Sequence, residues 1–282
     1  MRQATTFDET VLSAPDGRWT MHSVRPGADL AGLVLGYQGY VERGGPVLCQ
    51  REVSTTLIPV VINFGPVFRV DSSGTGRGPE DLRSFVAGLD GGPAAVASTG
   101  ASFCMQVDFS PPGAYRFFGL PMREFAGDIV PLDALLGDDF RRLADVLFCA
   151  TDWTSRFALL DGFVRARLRR HPAPSPQVAW AWRQLNRSQG RERIDALAAR
   201  VGWSRKHLAD RFAAEIGRPP KTVARLLRFE HLHGLLGTGE TPDWSALAHD
   251  CGYADQAHLV REFRHFAGIT PGDYMNERRL RD

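Results

Sequence analysis

A chain of 282 residues with 43% apolar and 23% charged residues has room for two domains that each bury a core, and the lack of any 18-residue apolar run excludes a transmembrane helix. The formal net charge of +2 hides an asymmetry: from Gln177 onward there are 17 Lys and Arg against 13 Asp and Glu, while the residues before it hold 17 against 19. Six of the eight histidines also fall in the C-terminal part, so a basic module, of the kind that binds nucleic acid, is joined to a slightly acidic one.

The N-terminal stretch MRQATTFDET has no apolar core of a signal peptide, which predicts a cytoplasmic protein. Cys49, Cys104, Cys149 and Cys251 are scattered, with no CxxC pair, and read as free, mostly buried thiols. The first 130 residues read as strands and turns. Residues 19–24 alternate, 33–41 mix β-branched and aromatic residues with glycine, and 55–64 and 67–70 are apolar around a Gly65-Pro66 turn. Residues 72–79 form a glycine-rich loop. Strands at 85–89, 94–98 and 103–109 follow, the last alternating through Phe103, Met105, Val107 and Phe109, and Pro111-Pro112-Gly113 ends the run. Many short strands predict a β-rich barrel or sandwich, cupin-like in outline.

From Pro131 the period changes to that of helices, at 132–136, 139–148 and 152–170. Phe157, Leu160, Phe163, Val164 and Leu168 make one stripe, which packs on the barrel or on a second copy. Residues 171–176 (HPAPSP) resist helix and strand alike and mark a linker between a domain at 1–170 and an all-α domain at 177–282.

The second domain contains a repeat. Residues 193–201 form a helix, Gly202-Trp203 a turn, Ser204 an N-cap, and Arg205 to Ile216 a second helix with Leu208, Phe212 and Ile216 inward. Gly217 ends it, and Pro219-Pro220 opens a helix to about Leu236, roughly 25–27 Å long at 1.5 Å per residue. The layout then recurs. A short helix at 245–252 leads through Gly252-Tyr253 to a helix capped by Asp255, with Leu259, Phe263 and Phe266 on one side and Ala257, Arg261 and Arg264 on the other. These are two helix-turn-helix units, at about 193–216 and 244–267, whose second helices suit the major groove.

Residues 252–274, GYADQAHLVREFRHFAGITPGDY, resemble the signature of the AraC/XylS family of bacterial transcription regulators, and the first repeat also fits it. The resemblance covers about Gln177 to Arg279. It implies a seven-helix module with recognition helices in adjacent major grooves of double-stranded DNA, usually an activator working with RNA polymerase. By position, the DNA-facing residues are Arg205, Lys206, Ala209 and Asp210 in the first recognition helix and Gln256, Ala257, His258 and Arg261 in the second, with Arg264 adding affinity. Asp210 departs from the arginine common at that place. A carboxylate there repels phosphate, so it either accepts from a cytosine amine or holds an arginine, and affinity shifts to the second helix. Arg261 bidentate to guanine is worth roughly 1–3 kcal/mol of discrimination.

The N-terminal half is similar, through LIPVVINFG and FSPPGAYRFFGLPMREF, to the sensor half of some such regulators, which implies a small effector, a homodimer, or both. Its aromatics Trp19, Tyr37, Tyr40, Phe64, Phe103 and Tyr115 are the candidate pocket, with Arg43, Arg51, Arg69 or Arg116 as anion partners. Plain core packing is the competing reading for each aromatic. One histidine, His22, before the linker argues against a His-rich metal site, and no GxSxG, HExxH, P-loop or GxGxxG element suggests an enzyme or a cofactor. A DNA-binding protein whose first domain only dimerises stays open as the alternative.

Overall fold

The computed structural model describes residues 9–44, 49–73, 76–90, 92–236 and 242–279. Its strands are β1 (Glu9–Ser13), β2 (Trp19–Val24), β3 (Val34–Arg43), β4 (Cys49–Glu52), β5 (Ile58–Asn63), β6 (Phe68–Ser72), β7 (Glu80–Leu82), β8 (Phe85–Ala87), β9 (Ala94–Ala97), β10 (Ala101–Phe109) and β11 (Ile129–Pro131). They form two antiparallel sheets, ordered β1-β2-β3-β10-β5-β8-β11 and β4-β9-β6-β7. Residues from both sheets share a small apolar cluster that includes Val61, Val70, Phe85 and Cys104. The β-rich half is thus two facing sheets and not a closed barrel. The loop expected at 72–79 lies partly outside the described residues, as do residues 1–8; β6 and β7 on either side of the loop pair in antiparallel register, Phe68 with Leu82.

Strand parity sorts the large sheet into two faces. On β10, Phe103, Met105, Val107 and Phe109 point one way, and Met105, Val107 and Phe109 are almost fully buried. Ser102, Cys104, Gln106 and Asp108 point the other way, into a cavity between the sheets. On β3, Gln38, Tyr40 and Glu42 share that cavity face, while the Tyr37 hydroxyl reaches in the opposite direction and donates to Asp161 at 2.9 Å. Gly39 is required on the helix-facing side, because an added Cβ would sit 2.3 Å from the Trp153 ring.

Helices α1 (Pro111–Phe118), α2 (Leu132–Leu136), α3 (Asp138–Cys149) and α4 (Trp153–Arg170) cover that side. α1 falls where Pro111-Pro112-Gly113 suggested only a break. Prolines fit the first turn of a helix, whose N–H groups have no intrahelical partner. Ser110 caps α1 by accepting from the Gly113 N–H at 3.2 Å, and a Cβ at Gly113 would lie 2.0 Å from the Leu33 carbonyl oxygen. The α4 stripe of Phe157, Leu160, Val164 and Leu168 is buried within this half, and Phe163 packs against it. The cysteines divide: Cys104 and Cys251 are buried, but Cys49, on the edge strand β4, and Cys149, at the end of α3, are exposed.

Seven helices follow: α5 (Pro176–Arg187), α6 (Ile194–Arg200), α7 (Arg205–Ile216), α8 (Pro220–Leu235), α9 (Trp244–Asp250), α10 (Gln256–Ala267) and α11 (Pro271–Arg279). Their core is continuous with that of the first half. Residues 171–175 are non-helical, yet the Ser175 N–H and hydroxyl donate to Glu215 at 2.7 and 2.9 Å, which ties the linker to α7. Among the described residues no helix is long and apolar enough to cross a membrane.

Candidate nucleic-acid interface and ligand cavity

The two helix-turn-helix units share hydrogen bonds as well as sequence. At the first turn Gly202 has φ +72° and the Trp203 N–H donates to the Ala198 carbonyl at 2.9 Å; at the second Gly252 has φ +77° and the Tyr253 N–H donates to the Ala248 carbonyl at 2.8 Å. Positive φ at these two positions is why glycine recurs. Ser204 caps α7 by accepting from the His207 N–H at 3.1 Å, and Asp255 caps α10 by accepting from the His258 N–H at 2.6 Å. Leu208, Phe212 and Ile216 of α7 and Leu259, Phe263 and Phe266 of α10 are fully buried. Phe229 of α8 lies 5.3 Å, ring to ring, from both Phe263 and Phe266, so α8 locks the orientation of α10. The Arg225 guanidinium adds a 2.8 Å ion pair from α8 to Glu262 beneath the outer face of α10.

With the inner faces committed, the outer faces are cationic. Arg205, Lys206 and Asp210 on α7, and Gln256, Ala257, Arg261 and Arg264 on α10, are exposed; Ala209 and His258 are partly so. Among the described residues none of Arg205, Lys206, Arg261 and Arg264 makes an ion pair within the chain, although many other arginines do. Asp210 does not pair with Arg205. The helices begin 51 residues apart, so Asp210 stands at the position in α7 that Arg261 occupies in α10. Tyr253 is buried with Arg228 over its ring, and among the described residues its hydroxyl has no partner. Trp203 is partly exposed and meets the His207 ring edge-on at 4.5 Å.

The cavity between the sheets has a volume of about 720 Å³. Of the aromatics singled out in the sequence, it brings together Trp19 and Tyr40, with ring centroids 6.4 Å apart. The others lie elsewhere. Tyr37 points into the α4 interface, Phe64 and Phe103 meet at a tilt with ring centroids 5.0 Å apart on the far side of the sheet, and Tyr115 and Arg116 belong to α1. Arg43 lines a smaller cleft with Phe103, Trp153 and Arg156, Arg51 pairs with Glu277, and Arg69 with Asp81. What sequence reasoning missed are the polar wall residues Gln38, Glu42, Glu52, Ser54, Gln106 and Asp108. The signal was present as polar residues at every second position of β3 and β10, which resembles an ordinary solvent face.

Electrostatics of this wall are one-sided. Burial pushes the carboxyl group of Asp108 up; Glu52, on the exposed edge strand β4, sits at the rim of the cavity, where partial desolvation and then the nearby Asp108 push its carboxyl up. Asp108 accepts from the Gln106 and Gln38 side-chain amides at 2.7 and 3.2 Å, and Glu42 from the Ser98 and Ser102 hydroxyls at 3.0 and 3.2 Å.

Two helix-turn-helix units joined by one long helix and presenting unpaired cations define a paired DNA-reading module. Comparison with known proteins agrees. A family profile described as "Helix-turn-helix domain" matches residues 197–277. An uncharacterized HTH-type transcriptional regulator of Staphylococcus aureus (strain MRSA252) is 34% identical over 86 residues, 30% of this chain and 11% of that protein. Among solved structures, ToxT from Vibrio cholerae covers 82% of this chain and 97% of its own at 11% identity and a TM-score of 0.44. The DNA-binding domain of the global transcriptional factor AdpA, in complex with a target DNA, covers 38% of this chain and 96% of its own at 25% identity and a TM-score of 0.35. The C-terminal part of the chain is a helix-turn-helix domain of the AraC type.

Proposed function

We propose that the protein is a sequence-specific DNA-binding transcription regulator, with α7 and α10 entering successive major grooves and a small effector held between the two sheets. The observation that carries this is the pairing of two capped helices whose inner faces are fixed and whose outer cations have no partner in the chain. Phosphate contacts supply affinity that falls with salt, and base contacts supply specificity. Asp210, with no arginine to hold, is left as an acceptor for a cytosine amine. The cavity wall supports effector control. Ser54 and Asp90 line it, and the Ser54 N–H donates to the Phe266 carbonyl at 2.9 Å while Asp90 faces Arg218 at 3.5 Å. A ligand that moves Ser54 acts on the end of α10, and one that moves Asp90 acts on His265 of α10 and on Arg218, just past the end of α7.

The test selects preferred sites from a random duplex library and compares wild type with Arg261→Ala on the selected site and on random DNA. A base contact predicts a loss of about ten- to a hundredfold on the selected site and much less on random DNA. Equal loss on both reduces Arg261 to a phosphate contact, and no loss on either sinks the docking model. A second reading, in which the first domain serves to pair two copies, draws on Val146, Phe148 and Leu159, which are exposed on α3 and α4. Sedimentation of the full chain distinguishes it: a tight dimer that no small molecule stabilises favours this alternative.

A further inference from the structure

The cavity is large enough for a drug-sized molecule, and its wall states what charge that molecule carries. Among the described lining residues there is no Lys, Arg or His, yet five carboxylates are present: Glu42, Glu52, Asp90, Asp108 and Asp128. Two of them have cations outside the wall, since Arg77 pairs with Asp128 and Arg218 faces Asp90. Glu42, Glu52 and Asp108 have none among the described residues. Glu42 and Asp108 are buried with neutral hydrogen-bond donors only. Buried carboxylates without a countercharge are costly, and the cost is relieved when a cation arrives. An anion entering the same space meets repulsion from three sides.

Three further features fit a ligand, and they are independent of the acidic groups. Ser54 is 6% exposed, lines the cavity, and its hydroxyl has no hydrogen-bond partner among the described residues. The rings of Trp19 and Tyr40 offer electron-rich faces of the kind that attract alkylammonium groups. Phe68, Val70, Phe85 and Val96 supply an apolar floor. Among the described residues no three His, Cys, Asp or Glu side chains converge closely enough to hold a metal ion, so a compact inorganic cation is not what the wall accommodates.

We propose that this cavity binds an organic cation, a protonated amine or quaternary ammonium carried on an apolar body, with the charge between Glu52 and Asp108 and a polar group at the Ser54 hydroxyl. The assignment rests on the reading of the cavity as the effector site. Through Ser54 the occupant lies one residue's width from the hydrogen bond to Phe266, at the last turn of α10.

The experiment uses the full chain and probes matched in shape but opposite in charge. Binding of 3-phenylpropylamine, phenyltrimethylammonium and 4-phenylbutyrate is followed by the rise in Tm and by tryptophan fluorescence, since Trp19 is in the wall. The expected result is saturable binding of the two cations and at least tenfold weaker binding of the carboxylate. In the double variant Glu52→Gln/Asp108→Asn the affinity for the cations falls at least tenfold, while the Tm of the free protein holds or rises, because the buried, uncompensated Asp108 carboxylate is gone. Where that variant has a lower Tm, the single variant Glu52→Gln, at an exposed position of the edge strand β4, keeps the fold and still weakens binding of the cations at least threefold without weakening that of the carboxylate; unchanged cation binding in that variant overturns the charge assignment. Preferential binding of 4-phenylbutyrate overturns the charge assignment but leaves an effector cavity. Failure of all three probes, with no change at the cavity tryptophan, overturns both.

Discussion

Helices α7 and α10 rest on the first domain through two joints of different chemistry. At the end of α7 the contact is enclosed: Gly217 sits among apolar groups, where an added Cβ would meet Met122, Ala126 and Leu89 at 3.5–3.6 Å, and the carboxylate beside it, Glu215, is 2% exposed, accepts from the Ser175 N–H and hydroxyl and pairs with Arg211. At the end of α10 the contact is polar. Ser54 donates to the Phe266 carbonyl, His265 lies 3.9 Å from Asp90, and Arg51 lies 3.5 Å from Glu277. Two of the residues on the first-domain side of this joint, Ser54 and Asp90, are also cavity wall. Dry packing resists small shifts, whereas hydrogen bonds at the edge of a cavity exchange readily with those of a ligand or water. The α7 joint is therefore the anchor, and the α10 joint is the one a ligand reaches.

The largest effect belongs to the anchor. Glu215→Ala leaves the Ser175 N–H and hydroxyl without an acceptor and removes the partner of Arg211. The expected loss is about 2–3 kcal/mol of unfolding free energy, the cost of stranding buried polar groups. Urea unfolding measures it, and a loss below about 0.5 kcal/mol would show that Glu215 is dispensable to the joint. Next comes Arg218→Ala, between the two joints. The Arg218 guanidinium donates to the Leu89 and Asp90 carbonyls at 3.3 and 3.1 Å and lies 3.5 Å from the Asp90 carboxylate. A loss of about 1–2 kcal/mol is expected. Part of it reflects Asp90, whose carboxyl burial already pushes up against the pull of Arg218 and His265. Adding Asp90→Asn to Arg218→Ala should therefore recover stability, and additive losses in that double-mutant cycle would refute the coupling.

The same contrast explains how far the sequence could be read. The helix-turn-helix units were legible because their determinants are local: Gly202 and Gly252 for positive φ, Ser204 and Asp255 for caps, Leu208, Phe212, Leu259 and Phe263 at helical spacing. The cavity was not, because it depends on pairing between distant strands. Tyr37 and Tyr40 look alike in the chain, but three positions along a strand put them on opposite faces. Glu52 meets Asp108 only once two sheets face each other. The joints were equally hidden, since Ser54 and Phe266 are separated by more than two hundred residues and touch through backbone atoms, which carry no sequence signal. Pro111–Phe118 misled for a different reason: prolines that break a helix in its interior are well placed at its start.

The smallest effect tests the polar joint by pH. Glu230 of α8 accepts from the Thr56 N–H at 2.6 Å and from the Thr56 hydroxyl at 2.9 Å, next to the cavity residues Ser54 and Thr55. Burial pushes its carboxyl above the ordinary glutamate value of 4.5, with the bonds from Thr56 opposing the shift. A raised folded-state value means that the folded protein holds the proton more tightly than the unfolded chain. The stabilisation this gives is complete below pH 4.5 and is lost as pH rises through the raised value. Glu230→Gln keeps an oxygen for the Thr56 N–H and presents an amide to the hydroxyl oxygen, so the change at neutral pH should stay within about 1 kcal/mol. The decline in stability between pH 4.5 and neutrality should be shallower than in the wild type, measured by urea unfolding across that range. An identical slope would mean that Glu230 ionises as freely in the folded protein as in the unfolded chain. The α10 side would then be as wet as an ordinary surface, and the distinction between a dry anchor and a ligand-reachable joint would rest on Ser54 and Asp90 alone.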